Sequence, residues 1–382
     1  MREIYLDNAS TTKTDERVLK AILPYFTEKY GNASSSHTKG DEAESALNKS
    51  RRIIAKSIKA TDTEIIFTSG GTESNNLALK GLFFHPENKK NHIITTEIEH
   101  KCILNSCKWL ETQGANITYI GVDKEGFVNL EELKKSITSD TLVVSIIHGN
   151  NEIGTIQNLK EIGKICKQHK VYFHTDACQS YTKTKIDVNK QHLDLVTLNA
   201  HKIHGPKGVG ALYIKSGTKI SPLFHGGGHE NKKRSGTENI PGIVGFAKAV
   251  QISDKKQNKK TEQLRNKLLK AILEIPDTRL NGPKPGKERL CNNINISFKN
   301  IEGEAIGGDL EDKNIYTSTG SACLSNTLEP SHVLKAIGLS GLESNSSLRI
   351  TLSRYNTEED VEKTINEIKK AVKRLRKITP FK

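Results

Sequence analysis

Asp194-Leu-Val-Thr-Leu-Asn-Ala-His-Lys-Ile-His-Gly-Pro-Lys-Gly-Val-Gly210 reads as an apolar strand that ends in polar residues, a lysine and a glycine-rich turn. A lysine at a strand end inside a covered sheet is costly as a cation, which makes Lys202 a Schiff-base candidate. The glycines that follow allow a tight turn against a ligand. Working outward, short apolar runs alternate with amphipathic helical stretches from about residue 64 to 215. The runs are Ile65–Phe67, His92–Thr95, Ile117–Ile120, Leu142–Ile147, Val171–His174, Leu193–Leu198 and Gly210–Ile214. Helical spacing fills Lys101–Gln113, Leu130–Ile137 and Leu159–Gln168 between them. Strands alternating with helices predict an α/β fold with a mostly parallel sheet covered on both faces. In such sheets ligands bind at the carboxyl ends of the strands, where Lys202 lies.

Beyond this region the pattern changes. A long helical segment is predicted from Pro241 to about Ile275. After Asn281-Gly-Pro-Lys-Pro-Gly286 come a strand (Asn293–Phe298), a helix after Pro330, a strand (Leu348–Leu352) and a last helix (Thr357–Ile378). The expected organisation is a large α/β domain over residues 15–257 and a smaller α+β domain from residues 1–14 and 258–382.

Composition narrows the function classes. The chain has 382 residues, 35% hydrophobic and 27% charged, as a folded globular protein does. No apolar run approaches the roughly 20 residues needed to span a bilayer, and the first ten residues lack a signal-peptide core, so the expected location is cytoplasmic. Six cysteines include no CxxC pair and no zinc-site spacing, so no metal is expected and the thiols are read as free. The formal charge of +14 raises nucleic acid as a partner, but the lysines are scattered over helix faces, which favours acidic partners or anionic cofactors.

Three further stretches carry chemistry. In Ile65-Ile-Phe-Thr-Ser-Gly-Gly-Thr-Glu-Ser-Asn-Asn-Leu77 a strand meets a glycine turn and a helix, which is either a phosphate cradle or an ordinary joint. In Val171-Tyr-Phe-His-Thr-Asp-Ala-Cys-Gln179, Asp176 ends a buried strand and needs a cationic partner or several hydrogen bonds; a protonated ring nitrogen or a structural cap would each serve. Cys323 lies in the polar stretch Thr317–Pro330, where a nucleophile and a small packed side chain are both open readings. A phosphate cradle, a buried aspartate and a strand-end lysine together suit pyridoxal 5'-phosphate.

These motifs occur beside Tyr5-Leu-Asp-Asn-Ala-Ser-Thr-Thr12, Glu99-His100, Asn150-Asn-Glu-Ile-Gly154, Gly226-Gly-Gly-His-Glu230, Arg234-Ser-Gly-Thr237 and Ser318-Thr-Gly-Ser-Ala-Cys323. In that order, over almost the whole chain, they closely resemble the cysteine desulfurases of the NifS/IscS type, class V aminotransferases of pyridoxal-phosphate fold type I. The resemblance implies conversion of L-cysteine to L-alanine with the sulfur held on Cys323 as a persulfide. It implies Lys202 as the cofactor lysine, Asp176 as partner of the ring nitrogen and His100 as the residue stacked on the ring. Gln179 and Asn151 are implied toward the ring hydroxyl and the substrate. Gly71, Thr72 and His201 are implied at the phosphate, Thr237 at the phosphate of a homodimeric neighbour, and Arg349 at the substrate carboxylate. A sulfur-acceptor protein such as an iron–sulfur scaffold is the implied partner, in iron–sulfur cluster biosynthesis or tRNA thiolation. Asn199 stands where the family usually has Ser or Thr and is expected to keep a phosphate contact through its amide. Gly307 and Gly308 replace apolar helix formers, which weakens that helix by ~1 kcal/mol each and loosens the segment leading to Cys323. Rival readings are a selenocysteine lyase or another class V aminotransferase and, from a different class, a non-enzymatic scaffold or nucleic-acid-binding protein.

Overall fold

The computed structural model describes residues 2–319 and 330–378. Twelve strands are present among the described residues, beginning with the short β1 (Ile4–Tyr5). Seven build the main sheet: β2 (Ile65–Thr68), β3 (His92–Thr96), β4 (Asn116–Ile120), β5 (Thr141–Ser145), β6 (Tyr172–Asp176), β7 (Leu195–Asn199) and β8 (Gly210–Ile214). Their spatial order is β2-β8-β7-β6-β5-β3-β4. Only β8 runs against its neighbours; every other pair is parallel. The carboxyl ends of β2, β3, β5, β6 and β7 therefore open on one edge, the edge at which α/β sheets hold ligands. These strands read as nearly continuous apolar runs because both faces are covered: all five residues of β3, β5, β7 and β8 are buried.

The covering helices form for local reasons. Leu159–His169 opens on Asn158, whose side chain accepts from the Glu161 amide, and closes on Lys170 in the left-handed region. Its buried face, Leu159, Ile162, Ile165 and Cys166, joins the core of that side of the sheet. Each such side chain contributes about 1.5–3 kcal/mol on burial. The segment expected as one helix over 241–275 is two, Ile240–Gln251 and Lys255–Leu273. The break follows from polar competition with the backbone. Ser253 Oγ donates to the Ala249 carbonyl, and Asp254 accepts from the Lys256 amide and starts a new helix. The first helix packs Ile243 and Phe246 into the core of the main sheet, and the second packs Leu264 and Leu268 into a separate core.

That second core surrounds an antiparallel sheet of β9 (Thr278–Leu280), β10 (Asn293–Phe298) and, after β11 (Ile315–Tyr316), β12 (Ser347–Thr351), ordered β12-β10-β9. β1 pairs in parallel with β11. The helix Gly303–Glu311 forms in spite of Gly307 and Gly308, anchored by the fully buried Ile306 and Leu310. An added Cβ on Gly308 would meet nothing within 4 Å, so close packing does not demand glycine there.

Residues 8–12 stitch the two cores together. Asn8 Nδ2 donates to the Thr351 carbonyl (2.8 Å), and the Ala9 amide donates to Thr351 Oγ1 (2.9 Å). Three residues on, the Thr12 amide and hydroxyl both donate to the His201 carbonyl (3.0 and 2.7 Å).

Candidate active site

The turn after β2 needs its glycines. Gly70, the N-cap of the helix Gly71–Phe83, has φ 155° and ψ −174°, a region that only glycine enters freely. A Cβ on Gly71 would come within 2.6 Å of Cys178 Sγ, and one on Gly210 within 2.7 Å of Gly70 Cα. The helix thus begins hard against β6 and β8. Its first-turn amides have no partner within the helix and carry the positive end of its dipole. Thr72 is exposed in that turn, and Asn199, buried at the end of β7, has its Nδ2 3.8 Å from the Cβ position on Gly71.

Asp176 closes β6 and is 5% exposed. Its Oδ1 accepts from the Cys178 amide (2.9 Å) and its Oδ2 from Asn75 Nδ2 (2.7 Å). Burial pushes the carboxyl up, but His100, these two donors and Lys202 outweigh it, and the group is held below the usual carboxylate range. Asp176 is thus a local cap through Oδ1 and a buried anion at once. Cys178 beside it is buried, and burial pushes its thiol well up.

His100 caps the helix Lys101–Glu111, its Nδ1 accepting from the Cys102 amide (3.2 Å). Burial, with Lys202, holds the imidazole below its usual range, against the opposing pull of Asp176. Lys202 follows β7 on a turn and is half-buried. Its backbone is fixed by a residue the sequence reading missed. Lys183 Nζ donates to the carbonyls of Gln179 (2.9 Å) and Lys202 (3.3 Å), and burial pushes this ammonium down to about 8. His201 meets Thr11 Oγ1 through Nδ1 (3.2 Å) and is pushed down to about 4, by burial first and then by Lys202 and other nearby lysines. Gln179 Nε2 donates to the Ala9 carbonyl (2.7 Å).

Arg349, in the middle of β12, is 3% exposed. Its Nη2 donates to Asp7 Oδ1 (2.8 Å), Ser10 Oγ (2.8 Å) and Ser318 Oγ (3.1 Å), and Nη1 reaches the Asn151 carbonyl (3.4 Å). Its Nε is buried without a partner among the described residues. Thr237 is exposed, in a loop whose Arg234 donates to Glu73 Oε1 (2.9 Å) in the first turn of the Gly71–Phe83 helix. Cys323 lies outside the described residues. Among the described residues, no group of three or more His, Cys, Asp or Glu side chains is arranged to hold a metal, and no helix is long and apolar enough to cross a membrane.

The structure thus brings together Gly71, Thr72, His100, Asp176, Gln179, Asn199, His201 and Lys202 at one sheet edge, with Asn151 on the turn after β5 and Arg349 approaching from the second core. Asn75, Lys183, Asp7 and Ser10 also belong to this constellation. Asn75, Asp7 and Ser10 lie inside the motifs quoted above, and Lys183 follows Gln179 by four residues; that adjacency was the available signal.

Known proteins resemble this chain in sequence and in fold. The family model for aminotransferase class-V matches residues 4–364. Cysteine desulfurase IscS of Clostridium botulinum strain Hall is 47% identical over 384 aligned residues, covering 100% of this chain and 97% of that protein. A solved structure named NifS-like protein superposes with a TM-score of 0.92 at 39% identity, covering 98% of this chain and all of that one. Another, SspA in complex with cysteine, superposes with a TM-score of 0.83 at 37% identity over 93% of this chain and all of that one.

Proposed function

The chain belongs to the class-V aminotransferase family, and from that premise we propose that it is a cysteine desulfurase of pyridoxal-phosphate fold type I, converting L-cysteine to L-alanine and leaving the sulfur on Cys323 as a persulfide. One observation carries the reading. An anionic Asp176, the half-buried Lys202, His100 and an open helix first turn converge at the carboxyl edge of one sheet.

These residues fit pyridoxal 5'-phosphate. A carboxylate kept ionised while buried suits a protonated ring nitrogen, and the glycine turn lets a phosphate approach backbone amides. Asp176 would pair with the ring nitrogen, Lys202 would hold the aldehyde and His100 would support the ring. Gly71, Thr72, Asn199 and His201 would hold the phosphate, and Gln179 and Asn151 would serve the ring hydroxyl and the substrate side. Bound there, the cofactor supplies an aldehyde for the substrate amine and a ring that takes up electron density from Cα.

The chain's own side chains do the rest. Arg349, braced by Asp7, Ser10 and Ser318, binds the substrate carboxylate, and its Nε, without a partner among the described residues, is a donor for that purpose. Lys202 moves the proton at Cα. The Cys323 thiolate attacks the substrate sulfur; the S–S bond forms as the C–S bond breaks, and a proton completes alanine. The chain divides into a large domain (15–257) and a small one (1–14 and 258–382). The enzyme works as a cytoplasmic homodimer in which Thr237 completes the neighbour's phosphate site. It passes its persulfide to an acceptor protein such as an iron–sulfur scaffold, a role supported by the IscS name of its relatives.

The deciding experiment is Cys323→Ala. The variant is expected to bind cofactor and cysteine with the wild-type spectral change and to lose persulfide formation and nearly all sulfide release. Full activity would overturn the thiol mechanism in favour of a lyase. Arg349→Lys keeps the charge and loses the planar fork. It is expected to raise KM for cysteine by about tenfold, the equivalent of one charged hydrogen bond, with the cofactor spectrum unchanged.

A further inference from the structure

Cys102 is the second residue of the helix that His100 caps, and its position invites no notice in the sequence. In the folded chain its sulfur lies between two groups of the site. Asn75 Nδ2 donates to Cys102 Sγ at 3.1 Å while also donating to Asp176 Oδ2 at 2.7 Å. On the other side, Cys102 Sγ is 3.0 Å from His100 Nδ1.

The donor directions follow from chemistry. The Cys102 amide donates to Nδ1 at 3.2 Å, and an amide cannot accept, so Nδ1 bears a lone pair there and the ring proton belongs on Nε2. The Cys102 thiol is uncharged: burial, then Asp176, pushes it up to about 12. Its sulfur already accepts from Asn75, so its proton is directed to Nδ1.

We propose that Cys102 is a positioning residue for His100, fixing the imidazole as the neutral form protonated on Nε2 through a hydrogen-bond chain that runs from Asp176 by way of Asn75. A second proton on His100 must enter at Nδ1 and displace both donors. The charges around the ring do not settle the matter alone. Asp176 at the end of β6 favours the imidazolium; Lys202 after β7 opposes it, and His332, on the helix His332–Ala336, also couples to the ring; Glu99 precedes it in the chain. The two donors from the helix start decide in favour of the neutral ring. His100 then offers an uncharged face and one N–H donor, and does not work as an acid shuttling a proton through Nδ1. This role in catalysis rests on the assignment of His100 to the cofactor, whereas the tautomer does not.

The test is ring-nitrogen NMR of full-length protein labelled with ¹⁵N-histidine, with and without cofactor, the His100 signal being identified by its loss in His100→Gln. The wild type is expected to show an unprotonated Nδ1 and a protonated Nε2 without cofactor, down to mildly acid pH. Cys102→Ala is expected to shift the His100 titration upward, and Cys102→Ser, which restores a donor, to return it toward wild type. In the holoenzyme, the acid limb of the kcat profile should shift upward in Cys102→Ala while KM for cysteine holds. A protonated Nδ1 in the wild-type protein would overturn the proposal, and this measurement needs no variant to fold. An identical His100 titration in a folded Cys102→Ala would overturn it as well. An inactive wild-type enzyme with the expected tautomer would instead sink the functional assignment and leave this inference standing.

Discussion

Asp176 and Glu99 are two carboxyl groups at the same sheet edge, 5% and 1% exposed, yet their proton affinities are shifted in opposite directions. Each oxygen of Asp176 accepts from an N–H donor, and His100 and Lys202 act on it from nearby. Glu99 has one oxygen served, Oε1, by the Thr96 hydroxyl (2.7 Å) and the Ile147 amide (2.8 Å). Its Oε2 is buried with no partner among the described residues. Burial first, and Asp176 with it, push Glu99 up to about 8 against the two donors on Oε1. Depth is nearly equal in the two cases, so depth does not decide charge. Both groups have two donors; what differs is that those of Asp176 serve both oxygens and that Lys202 lies near it.

The contrast is broken most severely by Asp176→Asn. The change is isosteric but removes the one anion that can stabilise a protonated ring nitrogen. Desulfurase turnover is expected to fall by on the order of 10²–10³, with the fold intact by circular dichroism. Turnover within tenfold of wild type would remove Asp176 from its assigned role. A smaller effect is expected from Asn75→Ala, which leaves the anion but strips one of its donors. A hydrogen bond to a charged group is worth about 1.5–3 kcal/mol, so urea unfolding at neutral pH should register a loss in that range. An unchanged unfolding midpoint would mean that water replaces Asn75 at no cost.

The smallest effect is expected from Glu99→Gln, and it sharpens the comparison because the same acid-to-amide change is severe at Asp176. A folded-state pKa raised from 4.5 to about 8 means that the unfolded chain sheds this proton first. Its stabilisation is complete below about 4.5 and is lost as pH rises toward about 8. Wild type should therefore lose stability through this group as pH rises across that window, and the variant should not. Thermal melts at pH 5 and pH 8 measure the difference. Equal pH slopes would show that Glu99 is ionised in the folded protein.

Much of this arrangement is readable along the chain. Lys202, Asp176 and the Gly70-Gly71 pair sit at the ends of apolar runs, where a polar residue is conspicuous because the run predicts burial. The alternation of runs and helices likewise carries the main sheet. What eluded the reading is set by pairing across distance. Asn75 and Asp176 are 101 positions apart, and Asp7 and Arg349 are 342 apart, so no local pattern links either pair. Lys183 looks like any surface lysine until the fold points it at two carbonyls. The break between the helices Ile240–Gln251 and Lys255–Leu273 was hidden for another reason: helical periodicity continues on both sides, and only Ser253 and Asp254 mark the interruption.

The stitching of residues 8–12 has a consequence for how the chain is made. Asn8 leaves the ribosome near the start of synthesis, and its partner Thr351 is 343 positions behind it. At ordinary elongation rates that interval is roughly 20 to 70 s. Throughout it Ile4 and Leu6, destined for the second core, have no completed core to enter. All seven strands of the large sheet are made by residue 214 and the helix Ile240–Gln251 that packs on them by residue 251, so this part is free to assemble first. The brace on Arg349 then closes last, over a very long loop, so the newborn chain is most open to proteases and to self-association after most of it already looks folded.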